Sequence, residues 1–127
     1  MFINVSNHPS SNWNEEQIAA AASYGAIVDL LCPIIGPRRS DEELNALVET
    51  TCQKVKDLIA TDESNISESI VMAQGESVFI YRLVRALKAE GIRVVAACSE
   101  RHVTEVPQAD GSSLKTSRYQ FAGFREY

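Results

Sequence analysis

Short apolar runs alternate with amphipathic stretches along the 127-residue chain. Four runs rich in β-forming residues predict strands over residues 1–6, 26–31, 69–73 and 92–98. Between them, apolar residues recur at intervals of three and four, which predicts three helices. After residue 98 the alternation shortens, and the turn signal Asp110-Gly111 separates residues 103–106 from residues 117–124. We expect these last segments to form a terminal hairpin.

The helix boundaries have recognisable capping residues. Asn14 is a suitable N-cap for the first helix, with Gln17 at the position of a capping-box partner. Ser40-Asp41-Glu42-Glu43 forms the same signal before the second helix, and Gly25 and Gly91 are natural C-terminal stops. These signals fix where the predicted helices begin and end.

The order of elements predicts the fold class. A strand–helix alternation followed by a hairpin favours an α/β fold: one Rossmann-like three-layer domain over residues 1–127, with a mainly parallel sheet and a C-terminal β-hairpin. The simplest strand order places the first strand between the second and the third. The loop over residues 7–13 would then face residues 74–77 at the topological switch point, with residues 99–101 alongside. Ligands of open α/β sheets bind at such a point.

Composition narrows the possible partners. The formal net charge of −5 disfavours binding to duplex nucleic acid, which depends on neutralising phosphates. No apolar run reaches the ~20 residues of a membrane span, and the N-terminus lacks the features of a signal peptide. The three cysteines have no Cys-x-x-Cys or paired-histidine spacing. We therefore expect a cytoplasmic protein with no metal site, no cofactor and no membrane partner.

The loop after the first strand holds the first candidate site. Four hydrogen-bonding side chains lie in the run Asn7-His8-Pro9-Ser10-Ser11, directly after Ser6. A histidine side chain can both accept and donate a proton, which makes His8 a candidate for proton transfer. The alternative is a turn in which the polar residues cap the next helix and His8 is solvated. Trp13 could stack on a base or pack the loop onto the sheet.

The connection Gln74-Gly75-Glu76-Ser77 is the second candidate site. Its glycine allows close approach of the backbone, and the following helix N-terminus favours anions, so a phosphate would fit there. The run is neither a Walker A loop nor a dinucleotide fingerprint. Glu76 could equally be a carboxylate that interacts with the helix dipole.

Further candidates follow the fourth strand. Ser99 and Arg101 would lie beside the crevice, where the guanidinium could bind phosphate or pair with Glu100 or Glu105. Cys32 and Cys98 are at predicted strand ends, where buried structural thiols are the favoured interpretation. The four aromatic residues in positions 119–127 predict a covered sheet edge or a dimer contact.

Several short motifs together resemble the small CRISPR-associated proteins of type III systems, which are CARF-like Rossmann-fold domains. They are Asn4-Val5-Ser6-Asn7-His8-Pro9-Ser10, Gln74-Gly75-Glu76, Ser99-Glu100-Arg101 and Phe124-Arg125-Glu126-Tyr127. The resemblance implies a homodimer that binds a cyclic oligoadenylate messenger across a two-fold axis. It also implies that the chain could be a ring nuclease, which cleaves that messenger without a metal.

The leading hypothesis is therefore a metal-independent ring nuclease of antiviral signalling, with cyclic tetra-adenylate as the expected messenger and the ribose 2′-OH as nucleophile. The alternatives are a sensor or sponge that binds without cleavage, and a nucleoside N-glycosidase or deoxyribosyltransferase-like enzyme with Glu76 as nucleophile. The catalytic candidates are His8, Ser11 and Glu76. The ligand-binding candidates are Ser6, Asn7, Ser10, Trp13, Gln74, Gly75, Ser77, Ser99 and Arg101.

Overall fold

The computed structural model describes residues 1–63 and 66–127. In chain order, these residues form β1 (Phe2–Ser6), α1 (Glu15–Ala22), β2 (Ile27–Leu31), α2 (Asp41–Ala60), β3 (Ile70–Ala73), α3 (Ser77–Ala89), β4 (Arg93–Pro107) and β5 (Ser113–Glu126). Short 3-10 turns lie at Ser10–Asn12 and Ile66–Glu68. None of the helices in this part of the chain is long and apolar enough to cross a membrane.

The strands form a single five-stranded sheet in the order β2-β1-β3-β4-β5. The first three pairings, β1 with β2, β1 with β3 and β3 with β4, are parallel, and β4 pairs antiparallel with β5. The predicted α/β fold with a mainly parallel sheet and a C-terminal hairpin is confirmed. The position of β1 between β2 and β3 is confirmed as well.

Helices cover both faces of the sheet. Side chains of α2 and α3 pack with Ile3, Val5 and Val71 on one face. On the other face, α1 contributes Ala21 to a smaller cluster around Phe2. Alternate residues of each strand supply the two clusters, as the two-residue period of a strand requires.

The predicted N-caps are confirmed. The Asn14 side chain accepts a hydrogen bond from the backbone N–H of Gln17 at 2.9 Å. The Ser40 hydroxyl oxygen likewise accepts from the N–H of Glu43 at 3.1 Å. Both caps are formed by residues close in sequence, so they do not depend on the tertiary fold.

One prediction of a strand boundary and one of strand burial were wrong. The fourth strand does not end at Cys98, because β4 continues to Pro107 and pairs with β5 over its whole length. Residues 99–101 are therefore strand and not loop. The second strand was predicted to be buried, but β2 is an edge strand and Leu31 is 84% exposed. An apolar run does not distinguish an edge strand from a central one.

The distal part of the hairpin projects from the sheet. All residues from 99 to 120 are exposed, and we call this segment the arm. At the base of the arm the β4–β5 register shifts between Cys98 and Ser99: Cys98 pairs with Gly123, but Ser99 pairs with Phe121. Ala122 is thus the extra residue of a β-bulge, and Gly123 has a φ of 141° that favours glycine.

Candidate functional site

A polar network joins β1 to β2 on the side of α1. Asn4 and Asp29 are partners in the parallel register, and the Asn4 side-chain amide donates to the Asp29 carboxylate at 2.7 Å. The Ser6 hydroxyl donates to Oδ1 of Asn4, also at 2.7 Å. Asn4 and Ser6 are buried, so these hydrogen bonds satisfy polar groups that water cannot reach. The predicted ligand residue Ser6 is therefore part of the internal support of the site.

The same network holds the loop over residues 7–14. The backbone N–H and the hydroxyl of Ser10 both donate to the Asp29 carboxylate, the hydroxyl at 2.8 Å. The carbonyl oxygen of His8 accepts from the Asn4 amide at 2.9 Å and from the Trp13 indole at 3.1 Å. The backbone at His8 is thereby fixed while its side chain stays exposed.

Asp29 was not predicted as a site residue, although a single acid within an apolar strand was a usable signal. Burial acts to raise the pKa of its carboxyl, but hydrogen bonds from Asn4 and Ser10 more than offset this and hold the pKa below its ordinary value. The carboxylate is therefore the acceptor that organises the first loop.

A crevice of about 410 Å³ opens beside this loop, at the carboxyl ends of β1 and β3. Four predicted residues line it: His8, Trp13, Gln74 and Ser99. The other lining residues were not predicted to bind a ligand: Asn12, Asn14, Gln17, Met72, Ala97, Tyr119 and Phe121. The crevice is thus rich in side-chain amides and aromatic rings.

Trp13 both lines the crevice and packs the loop onto the sheet. Its ring meets Phe2 edge to face, with the centroids 6.0 Å apart and the planes at 89°. Together with the indole hydrogen bond to His8, this contact holds one wall of the crevice in a fixed position.

The arm supplies the opposite wall because of the bulge at its base. Phe121 and Phe124 are three positions apart, so a regular strand would place them on opposite faces. The extra residue Ala122 brings both to the α1 side, where their ring centroids are 5.0 Å apart. Tyr119, two residues before Phe121, then faces the same side and is 67% exposed.

Gln74 lies between this crevice and a second groove. Its side-chain amide donates to the carbonyl oxygen of Ala97 at 3.2 Å. The second groove, of about 390 Å³, is lined by Gln74, Gly75, Ser77, Ile80, Tyr81, Val84 and Tyr127. Gln74 therefore lines both cavities, whereas Gly75 and Ser77 line the second groove and not the crevice.

Gly75 and Glu76 have structural roles in this connection. A Cβ at Gly75 would lie 3.2 Å from the Cys32 sulfur, so the glycine permits close packing against that thiol. The Glu76 carboxylate caps α3, accepting from the N–H groups of Val78 at 3.1 Å and Phe79 at 2.7 Å. The helix N-terminus predicted to bind a phosphate thus already has an anion of its own.

Arg101 is on the arm and not in a loop beside the crevice, contrary to the expectation. Its guanidinium donates to the Ser117 hydroxyl at 3.0 Å and 3.3 Å. Arg101 pairs with Tyr119 across the β4–β5 ladder, which places it next to the crevice wall. Asn7 and Ser11 are exposed in the first loop.

Of the two predicted buried thiols, Cys32 agrees with the prediction and Cys98 does not. Cys32 is buried, and this burial raises the pKa of its thiol, which disfavours the reactive thiolate. Cys98 is half-buried and free. Within residues 1–63 and 66–127, no group of three or more His, Cys, Asp or Glu side chains is arranged to hold a metal ion.

Comparison with known proteins identifies the family of the chain, but no individual similar protein. No curated protein and no solved structure matches the chain significantly. One family profile matches residues 1–125, which is nearly the full sequence. The chain therefore belongs to the uncharacterized protein MJ1673 family.

Proposed function

We propose that this protein binds a cyclic oligoadenylate, with cyclic tetra-adenylate the expected ligand, and cleaves it with the ligand's own 2′-OH as nucleophile. The observation that supports the proposal is the lining of the crevice, in which side-chain amides stand beside exposed aromatic rings. The type III CRISPR setting remains part of the proposal and rests on the sequence resemblance.

The lining suits an adenine base. An amide side chain can bind adenine through its N6 and N7 atoms, and aromatic rings stack on any base. Asn12 and Gln17 supply amides in the crevice, and Tyr119 supplies an exposed ring on its outer wall. Single-stranded or cyclic oligonucleotides present unpaired bases to such a site, whereas a duplex does not.

Few cations are needed for a small ligand. Arg101 is beside Tyr119 in the ladder and is the candidate for contacting a phosphate at the rim. Its hydrogen bonds to the neutral Ser117 hydroxyl do not neutralise the guanidinium. The proposal therefore needs no extended basic surface, in agreement with the net charge of −5.

The proposed reaction is a transesterification within the ligand. The 2′-oxygen forms a bond to the adjacent phosphorus, and the bond from that phosphorus to the 5′-oxygen breaks. A 2′,3′-cyclic phosphate and a 5′-hydroxyl result, so one proton leaves the 2′-oxygen and one reaches the 5′-oxygen. The His8 imidazole lines the crevice on a fixed backbone, and we assign one of these transfers to it.

Binding without cleavage is the second candidate, and one observation favours it. Among the described residues that line the crevice there is one imidazole and no carboxylate. Asp29 and Glu76 accept hydrogen bonds that hold the first loop and cap α3. The same engagement removes the support for Glu76 as the nucleophile of an N-glycosidase.

Incubation with radiolabelled cyclic tetra-adenylate tests the proposal. We expect linear products that end in a 2′,3′-cyclic phosphate. They should form at the same rate with and without EDTA, and they should not form from a 2′-deoxy analogue of the ring. Binding of the intact ring without any product would support the sponge alternative. Loss of activity in EDTA would refute the metal-independent mechanism. If neither cyclic tetra-adenylate nor its 2′-deoxy analogue bound, the choice of ligand would be refuted.

A further inference from the structure

Among the residues that the structure describes, no strand pairs with one edge of β4 along the arm. β3 pairs with β4 only from Arg93 to Val95, and the Gln74 amide then meets the edge at Ala97. From Ser99 onward, within the described part of the chain, β4 pairs only with β5. A two-stranded ribbon is marginally stable on its own, so an arm of this length gains from a further strand.

The backbone groups on this edge can be assigned. The N–H of Gln108 donates to the carbonyl oxygen of Ser112 across the hairpin end. Backbone polar groups alternate between the two sides of a strand, so the even-numbered residues 102–106 point theirs toward β5. Those of Arg101, Val103 and Glu105 point outward, toward the unpaired edge.

We propose that two copies of this chain associate by antiparallel pairing of their β4 edges, with the two-fold axis at Val103. In a two-fold interface centred on Val103, a residue a given number of positions after Val103 lies opposite the partner's residue the same number of positions before it. Val103 then faces the partner's Val103, and Arg101 faces the partner's Glu105. Each opposed residue presents an outward N–H and C=O, so the ladder can form without rearranging the arm.

Charge complementarity favours this register. Arg101 and Glu105 project to the same face of the arm, two alternations apart, so the axis creates two identical pairs of opposite charge. The ladder between the two copies would end at Pro107, because Pro107 has no N–H to donate to the partner's Ser99. Exposed Val103 side chains, each 54% accessible in one copy, meet at the axis.

The outer edge of β5 does not offer equivalent pairs of opposite charge. Pairing of β5 with its own copy about Ser117 would set Lys115 against the partner's Tyr119, with no opposite charge. Tyr119 also belongs to the wall of the crevice. A second copy on the β4 edge therefore fits the arm better than one on the β5 edge.

A charge-swap experiment tests the register without any nucleotide, so its outcome does not depend on the proposed function. Sedimentation of the full chain should show a dimer. Arg101→Glu sets Glu against Glu and Glu105→Arg sets Arg against Arg, so each variant alone should dimerise about ten-fold more weakly or worse. An equimolar mixture restores both opposite-charge pairs, and native mass spectrometry should then show the heterodimer in preference to either homodimer.

A proline pair provides the matched control. Val103→Pro removes the central outward N–H of β4 and should abolish the dimer. Ser117→Pro removes the outward N–H at the facing position of β5, together with the Ser117 hydroxyl, and should leave the dimer intact. A monomeric wild-type chain at 100 µM, or a dimer indifferent to the charge swaps, would overturn the inference. A dimer lost only in Ser117→Pro would assign the contact to β5.

Discussion

The side chains of Asn4 and Asp29 meet across the β1–β2 ladder, with 2.7 Å between the amide nitrogen and the carboxylate oxygen. Each of these residues also holds the first loop, Asn4 through the carbonyl oxygen of His8 and Asp29 through Ser10. The position of the His8 imidazole therefore depends on a pair of residues that do not touch the ligand in the proposed complex.

Removal of the Asp29 carboxylate should destabilise the fold and loosen the first loop. Asp29→Ala leaves one N–H of the Asn4 amide without its acceptor, so the free energy of unfolding should fall by about 1–3 kcal/mol in urea denaturation. Asp57→Ala is the control, since Asp57 accepts an exposed hydrogen bond from Gln53 within α2. There the loss should be roughly 0.2–0.5 kcal/mol. Equal losses in the two variants would contradict a special role for Asp29.

The contribution of Asp29 should also depend on pH in a defined direction. Its folded pKa lies below the ordinary value of 3.8, so the carboxylate stabilises the fold above that value and ceases to do so as the pH falls through the folded pKa. The difference in Tm between wild type and Asp29→Asn should be constant from pH 7 to about 5 and should shrink below about 4. A difference that grows on acidification would show that the pKa is raised.

Glu76 should behave as a helix cap. Glu76→Ala should lower the free energy of unfolding by about 0.5–2 kcal/mol, because the N–H groups of Val78 and Phe79 lose their acceptor. Glu76→Asp keeps a capping carboxylate and should recover most of the stability. Both variants should bind and cleave the ring as the wild type does, once assayed well below their Tm. A folded Glu76→Ala protein without activity would return Glu76 to the reaction.

Tyr119 should contribute to ligand affinity. Tyr119→Ala removes an aromatic platform from the crevice and should weaken the binding of cyclic tetra-adenylate by about 1–3 kcal/mol in calorimetry. Tyr81→Ala is a matched control, because Tyr81 is 63% exposed against 67% for Tyr119 but lines the second groove. The reverse result, with affinity lost only in Tyr81→Ala, would place the ligand in the second groove.

His8 should affect the rate more than the affinity. His8→Ala should slow cleavage roughly 10²–10⁴-fold, the range for loss of one general acid or base, with little change in Kd. His102→Ala is the control, since His102 lies on the arm beside Glu100. An unchanged rate in His8→Ala would mean that positioning of the 2′-OH by the crevice suffices.

Local signals in the sequence were sufficient to predict where the helices begin. Asn14 and Ser40 cap their helices through residues three positions away, so the relevant interactions are visible in the sequence. The extent of β4 was not visible. Residues 99–106 alternate weakly because both faces of the arm are solvated, and without a buried face no apolar period is required.

The site was predictable only in part for a related reason. His8, Trp13, Gln74 and Ser99 follow strand ends that the topology brings together. The face of the sheet on which Tyr119 lies depends instead on the hairpin register, which a bulge can shift by one position. Such long-range pairing leaves no short motif in the sequence.

Ala122 makes the two faces of the arm interchangeable in principle. If Ala122 paired with Ser99 in a regular ladder instead of bulging, the segment before it would turn over, so that Tyr119 and Phe121 faced away from α1 while Arg118 and Gln120 faced the crevice. The aromatic wall would become a polar one without any change in the composition of the strand. The bulge at Ala122 therefore sets the chemistry of the crevice as firmly as the identity of the residues themselves.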